Sequence, residues 1–408
     1  MLRQQLPQAS FSGLGGTQME AAGQQRVVRA EDVAHMGITE VVRHAPFIYR
    51  QYRRLVASIR AQRPDVAVLI DFPDVNFRLA RHLHAAGVPV IWFVSPQLWA
   101  WKRSRLRWVQ QRVSRMLVIF PFEESFYRSR GVDAEFVGHP LAAAAAPPTL
   151  SREDYALQHG LDTERTWIAL LPGSRWKEIR ANLPVLHELA VTDLFSASAA
   201  HTTFDGDTTT APRDPAAYTR YEFLLPVAST LSSASLNTYL AELDAQHLRY
   251  FGPTEHTPNT RPRITLVPDA REALHHARAS VVASGTATVL AAVVGNPFVV
   301  VYRVSALTFA LARKLVQYPP ELPAPFDADG NIPVGMVNLI AGRRIVPELL
   351  QSRFTAENVA AALTPLLAET PQRNAQLAAL ANVRQFLHAD GHPIDHVVAA
   401  VLDLLASA

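Results

Sequence analysis

Trp167-Ile-Ala-Leu-Leu-Pro-Gly-Ser-Arg175 decides the class of the fold. An apolar run bounded by Pro172 and Gly173 reads as a buried strand, and the turn that follows opens a helix. Working outward, the same unit recurs. Glu222–Leu225, Arg263–Val267, Ser280–Ala283 and Phe298–Tyr302 are further strand candidates. Upstream lie Val66–Ile70, Val90–Val94, Arg115–Phe120 and Ala134–Val137, separated by helical stretches at Tyr49–Gln62, Phe77–Ala86, Lys102–Val113 and Glu123–Arg130. Strand, helix, strand at this spacing predicts βαβ units, parallel sheets and an α/β fold built twice. The Ala- and Pro-rich linker Ala142–Thr149 sets the boundary. Residues 1–148 form one Rossmann-like domain, 149–388 a second, and 389–408 a helix that crosses back. Such a pair is expected to enclose a cleft at the carboxyl ends of its sheets. The stretches 192–219, 252–262 and 317–333, rich in polar residues or Pro, read as mobile loop insertions without chemistry.

Composition narrows the function. Of 408 residues, 49% are hydrophobic and 18% charged, which excludes global disorder. There is no cysteine, so a disulfide scaffold, a thiolate metal site and a cysteine nucleophile are excluded. No apolar run reaches the roughly 20 residues a bilayer demands; Val289–Tyr302 is interrupted by Gly295, Asn296 and Pro297. No signal-peptide pattern opens the chain, so the expected compartment is the cytoplasm. The net charge of +3 says little until it is placed along the chain.

Four constellations could carry chemistry. Asp71, in Ile70-Asp-Phe-Pro-Asp-Val-Asn76, follows a strand end, where open α/β sheets put their ligands. Two readings stand: a general base towards a hydroxyl, or a helix cap supplied by Asp71 or Asp74. Gly173, Ser174 and Arg175 suit a phosphate or diphosphate at a helix start. Ser284-Gly-Thr-Ala-Thr288 is a second such cradle, tight helix–sheet packing being its other reading. Two cradles in one domain suggest a nucleotide diphosphate; neither a Walker-A lysine nor GxGxxG is present. The fourth, Ser95 to Trp108, interleaves Trp99, Trp101 and Trp108 with Lys102, Arg103, Arg105 and Arg107. It fits an amphiphile or membrane surface, a nucleic acid, or a solvated helix with its rings in the core. His139, before Pro140, reads as a structural turn histidine, and no His–carboxylate cluster has metal spacing.

In this order the segments resemble lipid-A-disaccharide synthases (glycosyltransferase family 19). The blocks are Ile70–Asn76, Val94–Trp101, Ile119-Phe-Pro-Phe-Glu123, Phe136-Val-Gly-His-Pro140, Leu171–Arg175, Ser284–Thr288, Val300-Val-Tyr-Arg303 and Asn338–Arg343 running to Gln351. The resemblance implies a glycosyltransferase-B fold. It implies inverting transfer of 2,3-diacylglucosamine from its UDP derivative to 2,3-diacylglucosamine 1-phosphate. No cofactor, metal or nucleic acid is implied. Carried over by motif, Asp71 is the base. Asp74, Asn76, Gly173, Ser174, Arg175, Ser284, Gly285, Thr286, Arg303 and Asn338 bind substrate. Trp99, Trp101, Lys102, Arg103, Arg105 and Trp108 face lipid, on the inner face of the cytoplasmic membrane.

The sequence departs from the family pattern twice. The family opens on a strand and a Gly-Glu-x-Ser-Gly-Asp loop; here Met1 falls inside the helix that would follow, and a misplaced start codon is the expected cause. Where the family carries a glutamate towards the ribose, this chain has Leu290. The competing reading is therefore a non-catalytic remnant that still binds UDP or lipid. A UDP-sugar epimerase of the same fold fits the block order less well.

Overall fold

The computed structural model describes residues 1–34, 38–192, 194, 220–251 and 264–407. The expected loops 192–219 and 252–262 fall outside the described residues, save Thr192 and Leu194. The chain divides into two compact units, residues 1–140 with 389–408, and residues 141–388. The division falls at Pro140 rather than at 148.

In the first unit, β1 (Ser12–Gly15) and β2 (Gln25–Arg29) form a small parallel sheet. Next come β3 (Ala67–Ile70), β4 (Val90–Phe93), β5 (Arg115–Val118) and β6 (Ala134–Phe136), hydrogen-bonded in that order and all parallel. Val90, Ile91, Trp92, Met116, Leu117 and Val118 are fully buried. Helices on both faces of a parallel sheet leave no wet side, which is why these strands read as unbroken apolar runs. The terminal helix Pro393–Ala406 belongs to this unit. Asp403 pairs with Arg115 at 3.1 Å, and His396 Nδ1 meets Glu135 at 2.7 Å.

The second unit holds β7 (Thr166–Leu171), β8 (Tyr221–Pro226), β9 (Ile264–Val267), β10 (Ala279–Ala283), β11 (Phe298–Tyr302) and β12 (Glu348–Leu350). The spatial order is β12-β11-β10-β7-β8-β9, every pair parallel. The first strand in sequence is thus central, and the winding reverses between β7 and β10. Two βα turns diverge at that switch point and open a crevice. Ile168, Leu170, Val281 and Val299 pack there against Leu183, Leu186, Phe354 and Leu363.

The stretch 317–333 holds no helix or strand, and it is anchored at a few points. Leu322 is buried, the Tyr318 hydroxyl donates to Pro333 O at 2.9 Å, and Asp327 accepts from the N–H groups of Asp329 and Asn331. The break in Val289–Tyr302 also has a cause. Gly295, at φ 81°, ends the Thr286–Val294 helix left-handed, where a side chain would be strained. Asn296 then turns inward, donating to the carbonyls of Leu274 and Ala277 at 2.9 and 2.7 Å and accepting from Ser280 at 2.7 Å. Asn296→Ala strands buried carbonyls and should cost about 2 kcal/mol in urea unfolding at unchanged slope.

Candidate active site

Parallel strands deliver each following loop to the same edge of the sheet. In the first unit that edge gathers Asp71 after β3, Ser95 after β4, Glu123 after β5 and His139 after β6. Asp71 is exposed, with its N–H on Phe93 O at 3.0 Å. Asp71 and Phe72 both sit at left-handed φ, 44° and 45°, a strained pair for residues with side chains. The Asn76 amide holds that turn, donating to the carbonyls of Ile70 at 3.2 Å and Asp71 at 2.5 Å. The helix Pro73–Ala85 has Phe72 at its N-cap and no side-chain cap. The capping reading of Asp71 therefore fails. Among the described residues no donor engages the Asp71 carboxylate.

The sequence reading quoted Glu123 without giving it a role. It is 1% exposed. Ser95 Oγ and Trp99 Nε1 donate to one of its oxygens at 2.8 and 2.9 Å, and the Phe120 N–H donates to the other at 3.2 Å. Burial pushes its carboxyl up to about 7 against those bonds. Tyr127 adds a clamp, its hydroxyl donating to Pro96 O at 2.6 Å. Val94, at φ 63°, marks the strained entry to this loop. Glu123 thus holds the Ser95–Trp99 segment from beneath. Its sequence signal is its place three residues after the N-cap Phe120, a capping glutamate. His139 is buried on Phe120, ring centroids 5.4 Å apart, and burial pulls its pKa down to about 4, consistent with a structural role.

The structure corrects one lipid-facing assignment. Trp99 is 2% exposed, hence core. Trp101 is 45% exposed with Lys102 Nζ 3.9 Å from its ring, and Lys102 and Arg103 are exposed. Arg105 pairs with Asp74 at 3.1 Å, and Trp108 packs edge-on against Phe77 at 5.7 Å.

In the second unit the two expected cradles stand side by side, since Val282 of β10 is in register with Leu171 of β7. They differ in occupancy. The N–H groups of Ser174 and Arg175 already donate to Glu178, at 2.9 and 3.3 Å, and the Arg175 guanidinium meets the same carboxylate at 3.2 Å. An internal carboxylate holds the place of an anion there. Gly173, at φ 128°, is required twice over: a Cβ would lie 2.5 Å from Glu178. The Ser284-Gly285-Thr286 turn is open instead. Gly285 has φ 145° and nothing within 4 Å of its Cβ position, and Gly285 and Thr286 are exposed. Ser284 Oγ donates to Val334 O at 2.8 Å.

Two assignments as substrate ligands, Asn338 and Asn76, do not survive. Asn338 is wholly buried: its amide donates to Val346 O at 3.0 Å and Glu348 at 2.8 Å, and its oxygen accepts from the N–H groups of Ile345 and Val346. No donor or acceptor is left over. Arg303 is half-buried, and its Nη2 donates to the carbonyls of Gln351 and Phe354. Asn76 is the turn clip already described. Glu348, which the sequence reading missed, seats the Met336–Ile340 helix by accepting from Gly335 N at 2.8 Å and pairing with Arg344 at 3.0 Å. Among the described residues no three His, Asp or Glu side chains are grouped to hold a metal ion.

A family model described as Lipid-A-disaccharide synthetase matches residues 1–205 and 235–399. The chain belongs to the lipid-A-disaccharide synthase family. The lipid-A-disaccharide synthase of Acidobacterium capsulatum is 49% identical over 393 residues, covering 96% of this chain and 87% of that protein. That of Koribacter versatilis is 43% identical over 375 residues, covering 92% and 84%. Identity at this level along nearly the whole chain favours a lipid-A-disaccharide synthase, a hexosyltransferase, over the remnant reading. The kitacinnamycin glycosyltransferase superposes with a TM-score of 0.56 at 13% identity, covering 99% of this chain and 94% of its own. CalG4, the calicheamicin glycosyltransferase, gives 0.50 at 14%, covering 99% and 93%. These two speak for the fold, a glycosyltransferase-B type of Rossmann-like units.

Glu123 makes a prediction for stability. Its carboxyl titrates near 7 folded and near 4.5 unfolded, so the folded state binds the extra proton between those values. Stability from this group is full below pH 4.5 and falls by about 3 kcal/mol as pH rises through 7. His139 acts oppositely, losing stability as pH drops from 6.5 towards 4, so wild type alone mixes the two. Urea unfolding of wild type against Glu123→Gln isolates Glu123. Wild type should lose about 2–3 kcal/mol relative to the variant from pH 5 to 8, and a constant difference refutes the assignment.

Proposed function

We propose that the chain transfers 2,3-diacylglucosamine from its UDP derivative to the 6-hydroxyl of 2,3-diacylglucosamine 1-phosphate, with inversion, using Asp71 as general base. The observation that carries this reading is Asp71 itself. It is a carboxylate at the ligand-binding edge of a parallel sheet, unengaged by any described donor, on a strained turn clipped by Asn76. A base that already served as a cap or salt-bridge partner would have to be freed first. As the hydroxyl attacks, Asp71 takes its proton and the anomeric C–O bond breaks. The negative charge that develops passes to the UDP diphosphate. Fixed N–H donors at the start of the Thr286–Val294 helix stabilise it.

The open Ser284-Gly285-Thr286 turn is the primary diphosphate seat. Gly173, Ser174 and Arg175 form the second, with Arg175 reaching the diphosphate once Glu178 yields. No helix among the described residues is long and apolar enough to cross a membrane. Exposed Trp101, Lys102 and Arg103 meet the anionic inner face of the cytoplasmic membrane, from which acylated sugars are drawn.

Asp71→Asn should lower kcat for disaccharide formation by about 10²–10³-fold while UDP affinity holds. Full activity in that variant removes Asp71 as the base. Leu290, half-buried in the Thr286–Val294 helix, stands where the family carries a ribose-binding carboxylate. Leu290→Glu should strengthen UDP binding in calorimetric titration, by no more than about 3 kcal/mol, and no gain refutes that placement.

A further inference from the structure

A cavity of about 400 Å³ opens in the first unit along the Pro73–Ala85 helix, between Tyr52 of the Ile38–Gln62 helix and the Leu106–Arg112 helix. Positions 74, 77, 78, 81 and 82 of the middle helix face it, at the spacing of one helix side. Four guanidinium groups line it, those of Arg78, Arg81, Arg105 and Arg112, against the single carboxylate of Asp74. That carboxylate is already paired with Arg105 at 3.1 Å. Among the described residues Arg78, Arg81 and Arg112 form no ion pair.

We propose that this cavity seats the phosphate of a membrane-lipid headgroup, gripped by Arg78, Arg81 and Arg112 and walled by Phe77 and Trp108. Like charges gathered without counter-charges repel, and a bound phosphate relieves that repulsion while matching the guanidinium fork. The field has left its mark on the neighbours. Burial first, then Arg81 and Arg107, lowers the pKa of Arg112; burial, then Arg60 and Arg81, lowers that of His82. The aromatic walls hold the cations in place: Arg105 lies 5.3 Å from the Phe77 ring centroid and Arg112 5.4 Å from that of Trp108. They also offer apolar surface to the glycerol and first acyl carbons of a lipid, which free phosphate would not use. Exposed Trp101, under Lys102, precedes the same segment, and exposed Arg53 and Arg54 lie on the flanking helix. Both surroundings suit the water–lipid boundary. The inference leans on the membrane reading only for the source of the phosphate.

The test is co-sedimentation with phosphatidylcholine vesicles doped with phosphatidic acid or with phosphatidylglycerol, adjusted to equal surface potential. A built phosphate seat should favour the monoester by about tenfold in affinity. Arg78→Gln/Arg81→Gln should erase that preference. Arg53→Gln/Arg54→Gln removes the same charge outside the cavity and should weaken both vesicle types alike while keeping it. Equal binding of wild type to the two vesicles, or equal behaviour of the two double variants, overturns the proposal. The His82 ring resonances follow inorganic phosphate directly. A shift that depends on Arg78 and Arg81 and is weaker than vesicle binding supports the seat. Tighter saturation by inorganic phosphate, with nothing gained on vesicles, overturns the lipid source. Turnover of detergent-dispersed substrates reads the transferase separately, so loss of one is not mistaken for loss of the other.

Discussion

Parallel pairing is the constraint on which the rest depends. Because every strand of both larger sheets runs the same way, every loop that follows a strand emerges at one edge. Chemistry therefore needs no long-range coincidence to assemble. Asp71, Ser95, Glu123 and His139 come from four successive strand ends, and the Gly173 and Gly285 turns from two strands in direct register. The same constraint excludes water from both faces of the sheets, so the backbone at the edge is held by a core that scarcely yields.

On that edge, helix N-termini present N–H groups in want of acceptors. The chain answers several of them itself with carboxylates placed just inside the helix or reaching in from a neighbouring strand, among them Glu123, Glu178 and Glu348. The Gly285 turn differs. Its glycine at positive φ leaves open space, and none of these carboxylates reaches it. A ligand anion gains most where the protein has not supplied its own. This is why we propose Ser284–Thr286 ahead of Gly173–Arg175 as the diphosphate seat, although the two look alike in sequence.

The sheets were legible because buried parallel strands are near-continuous apolar runs; Val90–Phe93 and Phe298–Tyr302 could hardly be read otherwise. The strands that escaped reading are β1, β2 and β12, short and only partly buried, so their composition carries no run. Asp71 was legible as a polar residue immediately after a strand. The roles of Asn76 and Asn338 were not. A motif fixes which residue stands at a position, not which way its side chain turns. In each case nearby backbone carbonyls outcompete a ligand for the donors. Trp99 misled for a similar reason: among cations it reads as interfacial, yet its indole N–H has a buried acceptor in Glu123 that makes the core the better place.

Strain and satisfaction are distributed in a telling way along the first unit's edge. Left-handed φ values at Asp71, Phe72 and Val94 cost about 1–3 kcal/mol each, and they fall at the entries of the two loops that carry polar groups. Each is offset by a buried partner directly behind it: the Asn76 amide for the first loop, the Glu123–Trp99 pair with Tyr127 on Pro96 for the second. A loop that only connected a strand to a helix would relax. These are held against relaxation by side chains that contribute nothing else to the surface. Rigidity of that kind keeps the exposed Asp71 carboxylate in one place at the sheet edge.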